Sequence, residues 1–108
     1  MRKIEFAYVE DYNIYRLLKK NKKKWLYAYE ITKGIGIGEK RTIRNNIHRL
    51  RRMGIPIASD VGKGYRYVTK YKDIATTVRW FQNKARDHSK TAQSLMLIFE
   101  MKDQQRLF

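Results

Sequence analysis

The sequence predicts an α+β, mainly α-helical chain: three short helices and a two-stranded hairpin over residues 1–69, then one long helix over 70–108. Three observations predict it. Between Arg41 and Gly54, the residues Ile43, Ile47 and Leu50 fall at i, i+4 and i+7, the spacing of a helix buried on one side. Ile55-Pro56-Ile57-Ala58-Ser59 and Tyr65-Arg66-Tyr67-Val68 are short β-prone runs joined by the polar turn Asp60–Gly64. Beyond residue 70 the apolar positions alternate in steps of three and four, which is a heptad repeat.

The elements follow in order. Residues 1–10 read as an extended arm in which Ile4, Phe6 and Tyr8 alternate. Asp11 is the expected N-cap of a first helix over 12–21, with Ile14, Leu17 and Leu18 as its apolar stripe. Asn21-Lys22-Lys23-Lys24 closes it, and the lysines suit the negative end of the helix dipole. Trp25-Leu26-Tyr27 reads as a single edge strand, and a short second helix over 28–33 turns Ile31 inward. Gly34-Ile35-Gly36-Ile37-Gly38 is a turn in which the glycines permit positive φ and the isoleucines plug the core. It lacks the Gly-Lys-Ser/Thr that a phosphate-binding P-loop needs. The third helix covers 39–53 and stops at Gly54. Pro56 makes the following strand an edge, or places its start there.

Composition narrows the function. The chain carries 25 Lys and Arg against 10 Asp and Glu, a formal charge of +15 that attracts polyanions. At 43% hydrophobic residues over 108, it is one domain with a small core and an appended helix. With no cysteine, disulfides and Cys-ligated zinc are excluded. No long apolar run follows the first residues and none reaches 18, so neither a signal peptide nor a membrane span is expected, and the cytoplasm is the default location. Glu10 and Asp11 form no evident acid–base pair, and Ser59, Ser89 and Ser94 have no recognisable histidine partner. We expect no enzyme, no cofactor and no metal.

The helix at 41–54 offers guanidinium groups opposite its apolar face, and the basic turn Gly62-Lys63-Gly64-Tyr65-Arg66-Tyr67 follows soon after. That pair calls for an anionic partner, and double-stranded DNA is the expected one. Residues 12–68 resemble a winged helix-turn-helix domain (three helices plus a β-hairpin wing) of the biotin-operon repressor and DeoR type. Thr42-Ile43-Arg44, leading to Arg49-Leu50 and the closing Gly54, resembles that family's recognition helix, and Gly62-Lys63-Gly64-Tyr65 resembles its wing. The chain is also similar to small helix-turn-helix proteins of phages and mobile elements, which follow the wing with one long helix. It departs from the pattern at Gly38-Glu39-Lys40, where the family places a Ser or Thr cap.

The resemblance implies that the third helix enters the major groove. Arg41, Arg44, Asn45 and His48 are then the base-reading candidates, because Arg pairs two bonds with guanine and Asn with adenine. Lys40, Thr42, Arg49, Arg51, Arg52, Lys63 and Arg66 are the phosphate candidates, while Tyr65 and Tyr67 pack on the core.

The heptad runs through Tyr71, Ile74, Val78, Phe81, Ala85, His88, Ala92, Leu95 and Phe99. The repeat fits a helix folded back on the winged core or a dimer seam, but a helix of about thirty residues is some 45 Å long, more than a core of under seventy residues covers, so we expect a homodimer seam. Ala85 and Ala92 allow close approach, and His88 sets register or meets solvent. A break near Asp87-His88-Ser89 is the alternative to one continuous helix. Residues 95–101 are apolar nearly all round, which leaves room for a further protein partner there. On that rival reading the winged fold is the scaffold of a protein–protein effector, and on the leading one the chain is a dimeric transcriptional regulator or replication-associated factor.

Overall fold

The structure is a computed structural model that describes residues 5–36 and 40–106, with the side chains of 40, 41 and 102–106 outside that description. The expectations for Ile4, Ile37, Gly38 and Glu39 therefore lie outside the described residues. The elements run α1 (Val9–Lys20), α2 (Ala28–Ile35), α3 (Lys40–Arg52), β1 (Ile57–Asp60), β2 (Gly64–Tyr67) and α4 (Tyr71–Arg106). This is the expected three helices, hairpin and long helix. The chain divides into two compact units, one ending at Thr77 and one beginning at Val78.

In the first unit, α1, α2 and α3 pack on one another around a single core. Its centre is Ile14, Leu18, Ile31, Ile43, Ile47, Leu50 and Ile57, all buried. Helices α1 and α3 contribute residues three, four or seven apart, which is why their stripes were readable in the sequence, and α2 contributes Ile31. Burial of that surface is what holds such short helices, since isolated helices of this length are marginal in water. Half-buried Phe6, Tyr15, Leu17, Tyr65 and Tyr67 close its margin.

One expectation is overturned at the start. Helix α1 begins at Val9, with Tyr8 at the cap position, and Asp11 lies inside the helix and is buried. Asp11 sits three residues before Ile14 and seven before Leu18, so helical geometry turns it to the core side. It is satisfied there by residues of α3 rather than by the backbone of its own helix.

Gly54 takes φ 90° after α3, the helix stop the sequence predicts, while α2 runs past the expected 33 through Gly34 and Ile35 and ends at Gly36 with φ 77°. The strands pair antiparallel with Ile57 opposite Tyr67 and Asp60 opposite Gly64. Leu26 adds a bridge on the far side of β2, exchanging two backbone bonds of 2.8 Å with Tyr65. That leaves β1 at the edge, beginning one residue after Pro56, where a missing N–H costs no ladder bond.

The bridge brings two backbones very close at Gly64. Its φ is 99°, and an added Cβ would overlap the Leu26 carbonyl oxygen and fall 2.8 Å from the Tyr27 Cα. Both the conformation and the space demand glycine. Along the same hairpin, Ser59 N–H donates to the Thr77 hydroxyl at 3.1 Å, and Arg66 pairs with Asp73 at 3.7 Å. The first turns of α4 are thereby fastened to the wing.

Helix α4 spans 36 residues without interruption, so no break occurs at Asp87-His88-Ser89. Every residue from Arg79 to Met101 is exposed. Among the described residues no helix is long and apolar enough to cross a membrane.

Replacing Gly64 by alanine is expected to cost about 1–3 kcal/mol from the backbone conformation alone. In a domain of this size each kcal/mol lowers the melting temperature by about 4–8 °C. Gly62→Ala, where an added Cβ meets only the Asp60 carboxylate at 3.6 Å, should leave the melting curve nearly unchanged. Equal melting temperatures for the two variants would contradict this account of the wing.

Candidate nucleic-acid interface

The candidate interface is built on α3. Its buried side is Ile43, Asn46, Ile47 and Leu50, and its exposed side is Arg44, Asn45, His48 and Arg52. At 100° per residue these four fall in one sector of about 100°. Thr42 is half-buried, and the side chains of Lys40 and Arg41 lie outside the described residues. Among the described residues, the side chains of Arg44, Asn45, His48 and Arg52 make no hydrogen bond or ion pair within the fold.

Arg49 and Arg51 sit at the two edges of this sector, and both are tied inward. Arg49 donates from Nε to Asp11 Oδ2 at 3.0 Å and from Nη2 to Asp11 Oδ1 at 3.2 Å, a fork on one carboxylate. Its guanidinium carbon also lies 4.6 Å from the centre of the Tyr8 ring. Asn46 donates to the same Asp11 Oδ1 at 2.6 Å. Arg51 donates from Nε to the Ile57 carbonyl at 2.9 Å, which joins the end of α3 to β1. The hydrogen bond from Arg49 to Asp11 raises the guanidinium pKa above its ordinary value, whereas burial lowers that of Arg51. Both stay charged at any physiological pH, because arginine starts so high. Arg49 keeps a side chain 39% exposed, so its orienting role leaves part of it open to solvent.

The hairpin places the second group of cations. Lys63 is exposed, with its Nζ 5.9 Å from the centre of the Trp25 ring, and the Arg66 guanidinium lies 5.2 Å from the same centre. Arg66 is half-buried and already paired with Asp73, so Lys63 is the more open of the two. At the tip, Gly62 N–H donates to Asp60 Oδ1 at 2.9 Å, the side-chain turn that makes Asp a good turn residue.

Sequence reasoning missed three features of this surface. Asp11 and Asn46 each appeared as polar residues within an apolar periodicity, and that coincidence was the available signal. Tyr27 and Tyr29 are the third. Their rings stack 5.6 Å apart at 9°, both are exposed, and the Tyr27 hydroxyl donates to the Gly62 carbonyl at 2.7 Å. The pair thus braces the wing tip against the start of α2, where Tyr27 N–H also meets Glu30 Oε1 at 3.0 Å. Nothing in the local sequence links Tyr27 to a carbonyl 35 residues away.

A test of the anchor follows from its chemistry. Asn46 Oδ1 has no partner among the described residues, so the bond to Asp11 is what satisfies this buried amide. Asp11→Ala strands its N–H groups and should cost about 1–3 kcal/mol. In a double-mutant cycle Asp11→Ala and Asn46→Ala should couple by about 0.5–3 kcal/mol in denaturant unfolding. Strict additivity would mean that the contact carries no stability.

The geometry now has an independent comparison. The family model described as an HTH domain matches residues 11–66, from the buried Asp11 of α1 to Arg66 on the wing. No curated protein and no solved structure matches the chain. The matched stretch covers more than half of the sequence, from within α1 through α2 and α3 into the second strand of the hairpin, and the chain belongs to this family of helix-turn-helix DNA-binding domains.

Proposed function

We propose that the chain binds duplex DNA sequence-specifically as a homodimer and acts as a transcriptional regulator or replication-associated factor. In this reading α3 enters the major groove, and Arg41, Arg44, Asn45 and His48 meet base edges. Lys40, Thr42 and Arg52 hold phosphates beside them, and Lys63 does so from the wing. Arg49 and Arg51 keep α3 in register with α1 and β1, with the solvent-facing part of Arg49 within reach of a phosphate. The observation that carries this is the exposed sector of α3 bracketed by two arginines held inward. A cationic face without a partner needs no such bracing, whereas readout of base edges needs side chains held in one orientation.

Support for pairing comes from α4. Its heptad positions Phe81, Leu95 and Phe99 are 39%, 54% and 65% exposed, and Ala85, His88 and Ala92 between them are exposed as well. Ile74 and Val78, at the start of the repeat, are half-buried. Large apolar side chains repeated along one helix face are what a second copy of the same helix covers. Two copies would present two recognition helices to half-sites about one helical turn apart.

Two experiments test this. Selection of bound duplexes from a random pool should enrich a palindrome, and Arg44→Ala or Asn45→Ala should relax preference at one position by about 1–3 kcal/mol. Recovery of no preferred sequence would overturn the specificity. Light scattering should show a dimer at about tens of micromolar, a concentration suited to interfaces of ordinary affinity, with Leu95→Asp and Phe99→Asp shifting it to monomer. A wild-type monomer at that concentration would remove the seam from the account.

A further inference from the structure

Helix α4 has a second face apart from its heptad positions. Arg79, Asn83, Arg86 and Lys90 stand at i, i+4, i+7 and i+11, the spacing of one helical stripe, and all four are exposed. With 100° per residue, the centre of this stripe lies about 170° from Phe81 and about 130° from Ala85, on the side away from the heptad positions. Pairing through the heptad would therefore leave it open.

Its charge has no structural return within the helix. Asp87 is the one carboxylate between Ile74 and Phe99, and it lies on the flank of the stripe. No ion pair of Arg79, Arg86 or Lys90 is present among the described residues. Arg86 and Lys90 face each other across one turn with like charge, a pairing that weakens a helix in isolation. A face meant only for solvent mixes acids with bases at that spacing. Here three cations are lined up within twelve residues, about 17 Å of helix at 1.5 Å per residue.

We infer that this stripe of α4 is a second duplex-binding element, with Arg79, Arg86 and Lys90 engaging phosphates of the DNA backbone without reading sequence. The inference rests on the reading that the chain binds duplex DNA. Phosphate is the fitting partner because the four stripe positions offer guanidinium and ammonium donors and no apolar side chain, while the nearest exposed ring, Trp80, lies about 90° away and is covered by Lys84, whose Nζ is 5.4 Å from its centre. The contacts add affinity and leave the choice of site to α3.

The test uses the full chain with Arg79→Gln, Arg86→Gln and Lys90→Gln combined, since glutamine keeps helix propensity and circular dichroism can confirm it. Affinity for a fixed duplex is measured by fluorescence anisotropy over a series of salt concentrations. Loss of three phosphate contacts should reduce the log–log slope by about 2–3 and lower affinity more than ten-fold near 0.15 M salt. Preferred and random duplexes should lose affinity alike, and Arg79→Lys with Arg86→Lys should retain most binding. A control with Lys19→Gln, Lys20→Gln and Lys33→Gln removes the same net charge from exposed positions in the first unit and should change the slope less. An unchanged slope in the α4 variant, or an equal loss in the control, overturns the inference while binding through α3 stands. Absence of duplex binding by the wild type overturns both.

Discussion

The buried carboxylate of Asp11 is the constraint on which the rest of this domain depends. A charge only 1% exposed is costly to hold away from water, by several kcal/mol even in real proteins. It is tolerated because three donors converge on it, one from Asn46 and two from Arg49. All three belong to α3, so the carboxylate can be satisfied in only one rotation of α3 about its axis. Hydrophobic packing alone would be less exacting, since Ile43, Ile47 and Leu50 could settle into a core over a range of angles. The polar anchor removes that freedom, and Arg51 on the Ile57 carbonyl does the same at the other edge.

The hairpin is the second fixed point. Leu26 and Gly64 hold β2 against the segment before α2, and the Tyr27 hydroxyl reaches the carbonyl of Gly62 at the tip. Thr77 and Asp73 then fasten the start of α4 to the same hairpin. A short two-stranded ribbon is marginally stable by itself. Here its stability is borrowed from both neighbours, and in return it links the helix-turn-helix to the beginning of the long helix.

Much of this was legible in the sequence because it is periodic or local. Ile43, Ile47 and Leu50 announced the buried side of α3, Gly54 its end, and Asp60–Gly64 the turn between the strands. Pro56 correctly marked the start of an edge strand. What could not be read was contact between residues far apart in the chain. Asp11 has the residue type and position of an N-cap, and only its partners at 46 and 49 make it a buried anchor. The same limit applied to Arg49 and Arg51, whose charge suggested phosphate and whose geometry adds an orienting task. Continuity of α4 through Asp87-His88-Ser89 was open because those residues neither favour nor forbid a helix strongly.

The central claim is that the sector of α3 between its two anchored arginines is the surface that meets DNA. Nuclear magnetic resonance with isotope-labelled protein, titrated with duplex DNA, tests it most directly. The account predicts the largest shifts at Arg44, Asn45, His48 and Arg52, including their side-chain signals, with Lys63 following and Ile14, Ile31 and Ile57 little changed. Shifts confined to α1 or α4, with the exposed residues of α3 unmoved at saturation, would contradict it.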